Sequence, residues 1–413
     1  MTLSEELTAR GFIHQHTGAE LAEILDGEKR TIYHGIDPSA DSAHAGNMVI
    51  WMLLRHLSDA GHKVIFLVGG GTGMIGDPKP DAERTLQDES VVAVNVGKIQ
   101  EQAQRLIGGD SMVTFVNNAD WLLAQPLVGF LRDIGKHFTV NELVKKDAIA
   151  ARMKSEQGIS YTEFAYPILQ AFDYLQLHET YGCDLQIGGS DQWGNIVAGV
   201  DLVRRKKQQT VHAITVPLVT DKSTGKKFGK SEGNAIWLDP EKTTPYQFYQ
   251  FWLNTSDESV IEYLKLFTFI TLDDINDIGA ETEQDPAARV AQKRLAEEVT
   301  TFVHGAETTA DIQRVTAVLF SGDAPDADAI ALLRAHAPQT GVKDGDSIVA
   351  VLVAGGLASS NREARTFIED GAVTLNGEKV TDAGATLASA QFTDGIALLR
   401  RGKKQVCVLS LAG

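Results

Sequence analysis

Cysteine, long apolar runs and positive charge are all scarce in this 413-residue chain. Two cysteines, Cys183 and Cys407, are too few for a disulfide framework or a cysteine zinc site and suit a reducing, cytoplasmic setting. No apolar run is long enough to span a bilayer, and the first residues do not follow the pattern of a signal peptide. The net charge of −17 excludes a protein that coats nucleic acid non-specifically, although a local basic patch remains compatible with it.

The length of the chain exceeds what one hydrophobic core supports, so several domains are expected. Short apolar runs alternate with helical patterns in the first half, which predicts an α/β domain with a doubly wound parallel sheet. Aromatic-rich helical patterns follow, and the last segment has the composition of a separate α+β unit. The expected division is an α/β domain over 1–220, a basic loop and helical domain over 221–320, a connection over 321–344, and a small unit over 345–413.

The stretch from Thr31 to Arg55 is the one around which the chain is organised. Its pattern predicts a strand, a loop with Asp37-Pro38, and a helix that starts at about Gly46. His44 and Asn47 are three residues apart at the mouth of this helix, and both can donate hydrogen bonds to phosphate oxygens. On this stretch alone, a capped helix with a surface histidine is the favoured interpretation.

Glycines cluster after two further predicted strands. Gly69–Gly73 and the segment Gly76-Asp77-Pro78 follow an apolar run at 63–68, but the Gly-Lys-Ser/Thr ending of a P-loop is missing. These glycines predict either close approach of a ligand or packing of strand on helix. The run Gly188–Gly194 contains Asp191, an acid that can accept ribose hydroxyls.

The helix predicted over 160–178 combines an apolar face with a row of large polar groups. Tyr166, Gln170 and Asp173 are at positions i, i+4 and i+7, so their side chains share one face. Ser160 and Glu163 have the spacing of a capping box, and Pro167 is expected to cost one helical hydrogen bond. A solvated polar row is the alternative interpretation, which an aromatic hydroxyl in the row makes less favourable.

Basic residues are concentrated in three segments. The first is the helix end Arg204-Arg205-Lys206-Lys207, which either contacts phosphate or simply complements the helix dipole. The second is the Lys-rich, Gly-containing loop 221–231, which either closes over an anion or forms a solvated turn. The third lies in the last unit, where a helix capped by Ser360 precedes an Asn-Gly hairpin. Its residues predict a reader of phosphate backbone: Arg362, Arg365, Arg400, Arg401, Lys403 and Lys404.

Several of these motifs resemble those of one family. His44-Ala45-Gly46-Asn47 resembles the HIGH signature of class I aminoacyl-tRNA synthetases, and Lys227-Phe228-Gly229-Lys230-Ser231 resembles their KMSKS signature in the form typical of bacterial tyrosyl enzymes. The final segment looks like an S4-type RNA-binding domain. The resemblance covers essentially the whole chain and implies a Rossmann-like catalytic domain, a homodimer, and the ATP-dependent ligation of L-tyrosine to its tRNA, with Mg²⁺ accompanying ATP as substrate.

The resemblance also implies roles for particular residues. Tyr33 and Asp173 would meet the phenol hydroxyl of tyrosine, whereas its ammonium and carboxylate would meet Asp77, Tyr166, Gln170 and Gln192. The ATP site would comprise Asp37, His44, Asn47, Gly189, Asp191 and Lys230. Catalysis would depend on His44, Asn47, Lys227, Lys230 and Ser231. Contacts to tRNA would come from Arg204 and Arg205 and from the basic residues of the last unit.

Two departures from the family pattern carry consequences. Asn47 stands where the second histidine of HIGH is usual, so a donor is expected there without a cation. His34 stands where many relatives have cysteine, which changes the expected ribose contact. The rival interpretations are a tryptophanyl-type synthetase and a non-catalytic RNA-binding relative, with a generic nucleotide-binding protein as the plainest one.

Overall fold

The computed structural model describes residues 1–18, 20–80, 82–108, 112–156, 158–220, 222, 228–231, 234–321, 326–402 and 405–412. The helices are α1 (Leu3–Arg10), α2 (Leu21–Leu25), α3 (Ala45–Asp59), α4 (Glu89–Ile107), α5 (Ala119–Leu122), α6 (Leu127–Asp133), α7 (Val140–Leu143), α8 (Asp147–Lys154), α9 (Tyr161–Tyr181), α10 (Trp193–Lys207), α11 (Pro245–Leu253), α12 (Asp257–Phe267), α13 (Leu272–Gln284), α14 (Val290–His304), α15 (Ala306–Ser321), α16 (Ala327–His336), α17 (Ile348–Ala354) and α18 (Asn361–Glu369). The strands are β1 (Gln15–His16), β2 (Thr31–Ile36), β3 (Lys63–Val68), β4 (Val113–Asn117), β5 (Leu185–Gly189), β6 (His212–Val216), β7 (Lys230–Ser231), β8 (Asn234–Ala235), β9 (Gln339–Val342), β10 (Val373–Leu375), β11 (Glu378–Lys379), β12 (Ile396–Arg401) and β13 (Gln405–Leu411).

The chain divides into two compact units, one of Met1–Asp239 with Thr255–Leu295 and one of Pro240–Asn254 with Ala296–Gly413. The first unit contains a six-stranded sheet in the order β1-β6-β5-β2-β3-β4. All neighbours pair in parallel except β1, which is antiparallel to β6. The predicted doubly wound parallel sheet is therefore confirmed.

Strand order reverses beside β2. The chain proceeds from β2 outward through β3 and β4, then returns to β5 on the other side of β2. At such a reversal the connections leave in opposite directions, which opens a crevice at the carboxyl ends of the strands. Because β3 is almost wholly buried and apolar, the sheet is a rigid base for that crevice.

The second unit contains a five-stranded sheet in the order β11-β10-β12-β13-β9. Asn376 and Gly377 both have positive φ, 49° and 86°, so the predicted Asn-Gly hairpin between β10 and β11 is confirmed. One apolar core joins this sheet to α17 and α18. Among the described residues, none of the helices combines the length and apolar character that crossing a membrane requires.

One predicted segment differs from the observed structure. The stretch 321–344, predicted as a connection with one short helix, contains α16 and also β9, which pairs in parallel with β13. The partner of β9 is distant in sequence, and local sequence pattern carries no record of it.

The two predicted capping boxes are half formed. Ser160 and Ser360 each cap their helix by accepting from the backbone N–H three residues later, at 3.3 Å. The carboxylate of Glu163 pairs with Arg152 instead of returning to the helix start, and that of Glu363 accepts from Ser359. Pro167 lies within α9, which continues unbroken from Tyr161 to Tyr181.

Candidate active site

A cavity of about 680 Å³ opens at the strand reversal in the first unit. Its walls come from the carboxyl ends of β2 and β5, from α9 and from the start of α3. Eleven residues that the sequence analysis assigned to tyrosine, ATP or catalysis line it: Tyr33, Asp37, His44, Asn47, Asp77, Tyr166, Gln170, Asp173, Gly189, Asp191 and Gln192. The predicted polar row of α9 thus faces a cavity.

Tyr33 and Asp173 lie in a deeply buried part of the lining, with exposures of 1% and 2%. The Asp173 carboxylate accepts hydrogen bonds from Asn118 Nδ2 at 2.9 Å and from Trp121 Nε1 at 2.7 Å. Burial raises the pKa of Asp173 to about 7 against these two donors, and it raises the pKa of the Tyr33 hydroxyl well above its ordinary value. The pair therefore offers one hydroxyl donor and one strong acceptor in a dry location.

Asp37 is the centre of a second hydrogen-bonded group. Its two carboxylate oxygens accept from Thr72 Oγ1 at 2.7 Å and from the Tyr166 hydroxyl at 2.8 Å. Thr72 Oγ1 also accepts from Asn118 Nδ2 at 2.9 Å, so Asn118 connects Asp37 to Asp173. Burial raises the pKa of Asp37 to about 6. Asp37 was predicted as an ATP contact, whereas Thr72, Asn118 and Trp121 were not among the residues predicted from the sequence.

The glycines after β3 serve this hydrogen-bonded group. A Cβ on Gly69 would lie 2.2 Å from Asp37 Oδ1, and one on Gly70 would lie 2.3 Å from Asn117 Oδ1. The amides of Gly70 and Gly71 donate to Asn117 and Asn118. The sequence left two explanations for these glycines, close approach of a ligand and packing within the protein. The contacts of Gly69, Gly70 and Gly71 favour packing within the protein.

Asp77 lies on another wall of the cavity. Its carboxylate accepts from Gln192 Nε2 at 2.8 Å and from Asn195 Nδ2 at 3.1 Å, and burial raises its pKa. Two buried amide oxygens, Oε1 of Gln170 and of Gln186, have no hydrogen-bond partner within the described structure. Both glutamines line the cavity, so a ligand N–H or ammonium would satisfy acceptors that are otherwise costly to bury.

His44 and Asn47 cap the start of α3 reciprocally. His44 Nδ1 accepts from the Gly46 amide at 3.0 Å, and Asn47 Oδ1 accepts from the His44 amide at 3.0 Å. The Ala45 amide donates to the Ile236 carbonyl, so this helix end does not present that N–H to an anion. Because Nδ1 accepts, Nε2 carries the proton of the neutral ring, and Asn47 keeps its amide N–H₂ as a donor.

The second signature lies against this helix start. Lys227 lies outside the described residues, as do the side chains of Lys230 and Ser231. Phe228 is buried between Tyr263 and Phe267, with ring centroids 4.8 and 5.1 Å away. Gly229 has φ +84°, and a Cβ there would lie 2.8 Å from the Gly46 amide nitrogen. Both signatures are thus in backbone contact, which requires glycine at two positions.

The loop that follows Asp77 carries two cations that the sequence analysis did not select. Lys79 and Arg84 are the full positive charges among the described lining residues, whose acids include Asp37, Asp77, Asp173 and Asp191. Arg84 Nε donates to the Asp77 carbonyl at 2.7 Å. An exposed loop gives no periodicity by which to find such residues. His34 also lines the cavity; it is buried, its Nδ1 lies 3.2 Å from the Ile187 carbonyl, and burial lowers its pKa to about 4.

The basic residues assigned to tRNA behave differently from one another. In the first unit, Arg204 pairs with Asp201 at 3.0 Å, and Arg205 contacts the His137 carbonyl and Glu142. In the second unit, Arg362 and Arg365 are exposed on α18, and the Arg401 guanidinium lies 4.5 Å from the Phe367 ring centroid.

Arg400 departs from the predicted basic edge. It is buried, and its Nη2 donates to the Val318 carbonyl at 3.2 Å. Consecutive residues of a strand point to opposite faces, so Arg400 and Arg401 cannot both lie on one exposed edge. Lys403 and Lys404 lie outside the described residues.

Comparisons with known proteins agree with this arrangement. The family model of class I tRNA synthetases (W and Y) matches residues 25–321, and that of the tyrosine–tRNA ligase SYY-like C-terminal domain matches residues 330–409. A tyrosine–tRNA ligase of Streptococcus mutans is 47% identical over 99% of this chain and 100% of its own length. One of Leifsonia xyli is 47% identical over 97% of this chain and 92% of its own. A C-terminally truncated mitochondrial tyrosyl-tRNA synthetase of Aspergillus nidulans superposes with a TM-score of 0.69 and is 32% identical, covering 77% of this chain and 94% of that one.

Proposed function

The chain belongs to the class I tRNA synthetases of the tryptophan and tyrosine group, and from that premise we propose that it is a tyrosine–tRNA ligase. In the first step, a tyrosine carboxylate oxygen bonds to the α-phosphorus of ATP while the bond from that phosphorus to the bridging oxygen breaks and pyrophosphate leaves. In the second step, a terminal ribose hydroxyl of tRNA attacks the tyrosyl carbonyl and AMP leaves. Neither step needs a covalent bond to the protein.

The observation that carries the assignment is the pair of Tyr33 and Asp173 in the buried part of the cavity. A phenol hydroxyl placed between them would donate to the Asp173 carboxylate and accept from the Tyr33 hydroxyl. Phenylalanine would offer neither the donor for Asp173 nor the acceptor for the Tyr33 hydroxyl, and Asp173 would keep only its bonds from Asn118 and Trp121. Enzymes of this very type are the standard example of the resulting rejection, by a factor of about 10⁵.

The rest of the lining fits the α-amino and carboxylate groups of the amino acid. Three groups surround the position assigned to the ammonium: the Asp77 carboxylate, the Tyr166 hydroxyl and the unpartnered Gln170 Oε1. Gln192 is held by Asp77 and is assigned to the substrate carboxylate. These contacts hold the attacking oxygen in place, which replaces the entropy cost of a bimolecular encounter.

Phosphate activation is assigned to the two signatures. His44 Nε2–H and the Asn47 amide N–H₂ would donate to phosphate oxygens, with Gly189 and Asp191 at the ribose. The cations Lys227 and Lys230, with Ser231, would stabilise charge that spreads onto the leaving pyrophosphate. Asn47 donates without carrying charge, so the cationic contribution falls to the lysines.

Mg²⁺ is proposed to arrive as the complex with ATP. The carboxylates of Asp37 and Asp77 already accept hydrogen bonds from protein donors, whereas Mg²⁺ commonly keeps several waters and binds substrate phosphates. When bound, the ion would neutralise phosphate charge. We place the protein in the cytoplasm because both of its cysteines are free and buried thiols, as suits a reducing compartment.

A homodimer is proposed from an apolar surface around α6. Leu127 and Val128 are 71% and 76% exposed, and Leu123, Leu131 and Val140 extend the same stretch. Large exposed apolar side chains close together in sequence are typical of interaction surfaces, and two copies related by a twofold axis would cover them. Recognition of tRNA is assigned in part to Arg362, Arg365 and Arg401 of the second unit, where phosphate contacts would supply affinity.

The first measurement is amino-acid-dependent exchange of pyrophosphate into ATP, with tyrosine, phenylalanine and tryptophan in parallel. Exchange with tyrosine alone is the expected result. Exchange with tryptophan would overturn the pocket assignment. No exchange with any of the three would leave a non-catalytic RNA-binding relative.

A further inference from the structure

An ion pair beneath the cavity wall has no assigned role so far. Arg152 on α8 and Glu163 on α9 are each 2% exposed and lie 3.1 Å apart, Nη2 to Oε2. Neither side chain lines the cavity. A buried ion pair contributes little net stability, because desolvation offsets most of the attraction. The contribution of the pair therefore lies in the backbone groups that its two side chains bind.

The pair holds the described residues of the loop that follows Asp77, which are 78–80 and 82–84. The Arg152 guanidinium donates to the Ala82 carbonyl at 2.7 Å and to the Lys79 carbonyl at 3.4 Å, and its Nε donates to the Gly158 carbonyl at 3.0 Å. Glu163 Oε1 accepts from the Arg84 amide at 3.1 Å. The two side chains thus bind the backbone of this loop at Lys79, Ala82 and Arg84.

That loop carries the cations of the cavity. Lys79 and Arg84 are the positively charged residues among the described lining, and four aspartates and Glu83 of the same loop share the walls. A nucleoside triphosphate brings several negative charges, so its affinity depends on where these two cations stand. The loop is also connected to the β2–α3 segment, since Gln87 Nε2 donates to the Ser39 carbonyl at 3.1 Å.

We propose that Arg152 and Glu163 are positioning residues, which hold the loop backbone at Lys79, Ala82 and Arg84 so that Lys79 and Arg84 meet the triphosphate of ATP. The inference rests on the proposed function and adds a determinant of nucleotide affinity that does not touch the substrate. The planar guanidinium of Arg152 hydrogen-bonds to three carbonyls and a carboxylate at the same time. A lysine ammonium offers no such fixed fork.

The test compares Arg152→Lys with Arg10→Lys. Arg10 is a matched control: it is 3% exposed, pairs with Glu6 at 2.9 Å, and donates to the Ile270 carbonyl at 2.9 Å and to two further carbonyls at 3.4 Å. It does not line the cavity. Both variants replace a buried guanidinium by an ammonium group in the same unit. Thermal unfolding therefore measures the loss of stability that this replacement causes in each of them.

In pyrophosphate exchange, Arg152→Lys is expected to lower kcat/KM for ATP by about tenfold to about a hundredfold. The dissociation constant of tyrosine, measured by calorimetry without nucleotide, should stay within about twofold, the range of ordinary context effects. Arg10→Lys should change neither quantity. An unchanged kcat/KM for ATP in Arg152→Lys overturns the proposal, as does an equal fall in Arg10→Lys.

Should Arg152→Lys not fold, Glu163→Gln answers the same question. It keeps an oxygen for the Arg84 amide and removes the charge that orients Arg152, so a smaller loss of kcat/KM for ATP is expected, and none would overturn the proposal. Exchange by the unaltered protein separates the two hypotheses. If that protein does not exchange with tyrosine, the proposed function fails; if it does and both variants match it, only the positioning role fails.

Discussion

The hydroxyl of Tyr166 donates a 2.8 Å hydrogen bond to a carboxylate oxygen of Asp37. The two residues are 129 positions apart, and the sequence analysis assigned them to different substrates. Their contact joins the amino-acid part of the cavity to the end of β2, where the phosphates are expected. Burial raises the pKa of both groups, and their hydrogen bond, together with the one from Thr72 to Asp37, offsets part of the cost of leaving water.

Tyr166→Phe tests this contact. Loss of the hydroxyl removes one donor to Asp37 and one polar group from the ammonium position, so the dissociation constant of tyrosine should rise by about tenfold. Tyr174→Phe is the control, since the buried Tyr174 hydroxyl donates to the His212 carbonyl at 2.7 Å and does not line the cavity. Equal effects of the two changes on tyrosine affinity would argue against a substrate contact at Tyr166.

Asp173 leads to a prediction about selectivity and pH. Burial raises its pKa to about 7, so its charged form, the better acceptor for a phenol hydroxyl, grows as pH rises from 6 to 8. Tyrosine should therefore bind more tightly at pH 8 than at pH 6, as calorimetry at the two values would detect. Asp173→Asn should remove that dependence and lower the preference for tyrosine over phenylalanine in exchange by at least about a hundredfold. Unchanged selectivity would mean that another group meets the hydroxyl.

Asn47 combines two roles that substitutions can separate. Asn47→Asp keeps an oxygen to accept from the His44 amide, so α3 should keep its cap, but it removes the N–H₂ donor and adds negative charge. We expect stability close to that of the original protein and exchange slower by about a hundredfold. Asn47→Ala should slow exchange and also lower the free energy of unfolding by about 1 kcal/mol. Normal exchange by Asn47→Asp would leave Asn47 with the capping role alone.

The exposed arginines of α18 should affect only the second step. Changing Arg362 and Arg365 together to glutamine should weaken tRNA binding and leave pyrophosphate exchange unaltered. The slope of log affinity against log salt concentration should become shallower by about one to two. Lys29 and Lys63, exposed in the first unit, provide a control of equal charge when both become glutamine. A matching loss in that control would point to net charge rather than to a binding surface.

The apolar surface around α6 predicts the oligomeric state. Leu127→Asp should convert a dimer to a monomer in light scattering coupled to gel filtration, because a buried unpaired charge opposes association. Val94→Asp places the same charge on another exposed apolar position, 59% exposed on α4, and should leave the dimer intact. A monomeric unaltered protein would remove the basis for the dimer.

Periodicity was enough to predict the polar row of α9, because Tyr166, Gln170 and Asp173 are neighbours on one helix. It was not enough for Asn118 and Trp121, which reach Asp173 from a different element. Glu163 shows the same limit, since its spacing to Ser160 predicted a cap while a buried arginine 11 residues earlier took its carboxylate. Local sequence pattern predicts the helix or strand to which a residue belongs, whereas these contacts depend on the tertiary fold.

Strand β13 pairs with β12 on one side and with β9 on the other. During synthesis it emerges after every other strand, and until then β9 has no parallel partner. At about 5–20 residues per second, the first unit has several seconds to fold while the rest is being made. The nascent chain should thus form the cavity of the first unit on the ribosome, while the sheet of the second unit closes last.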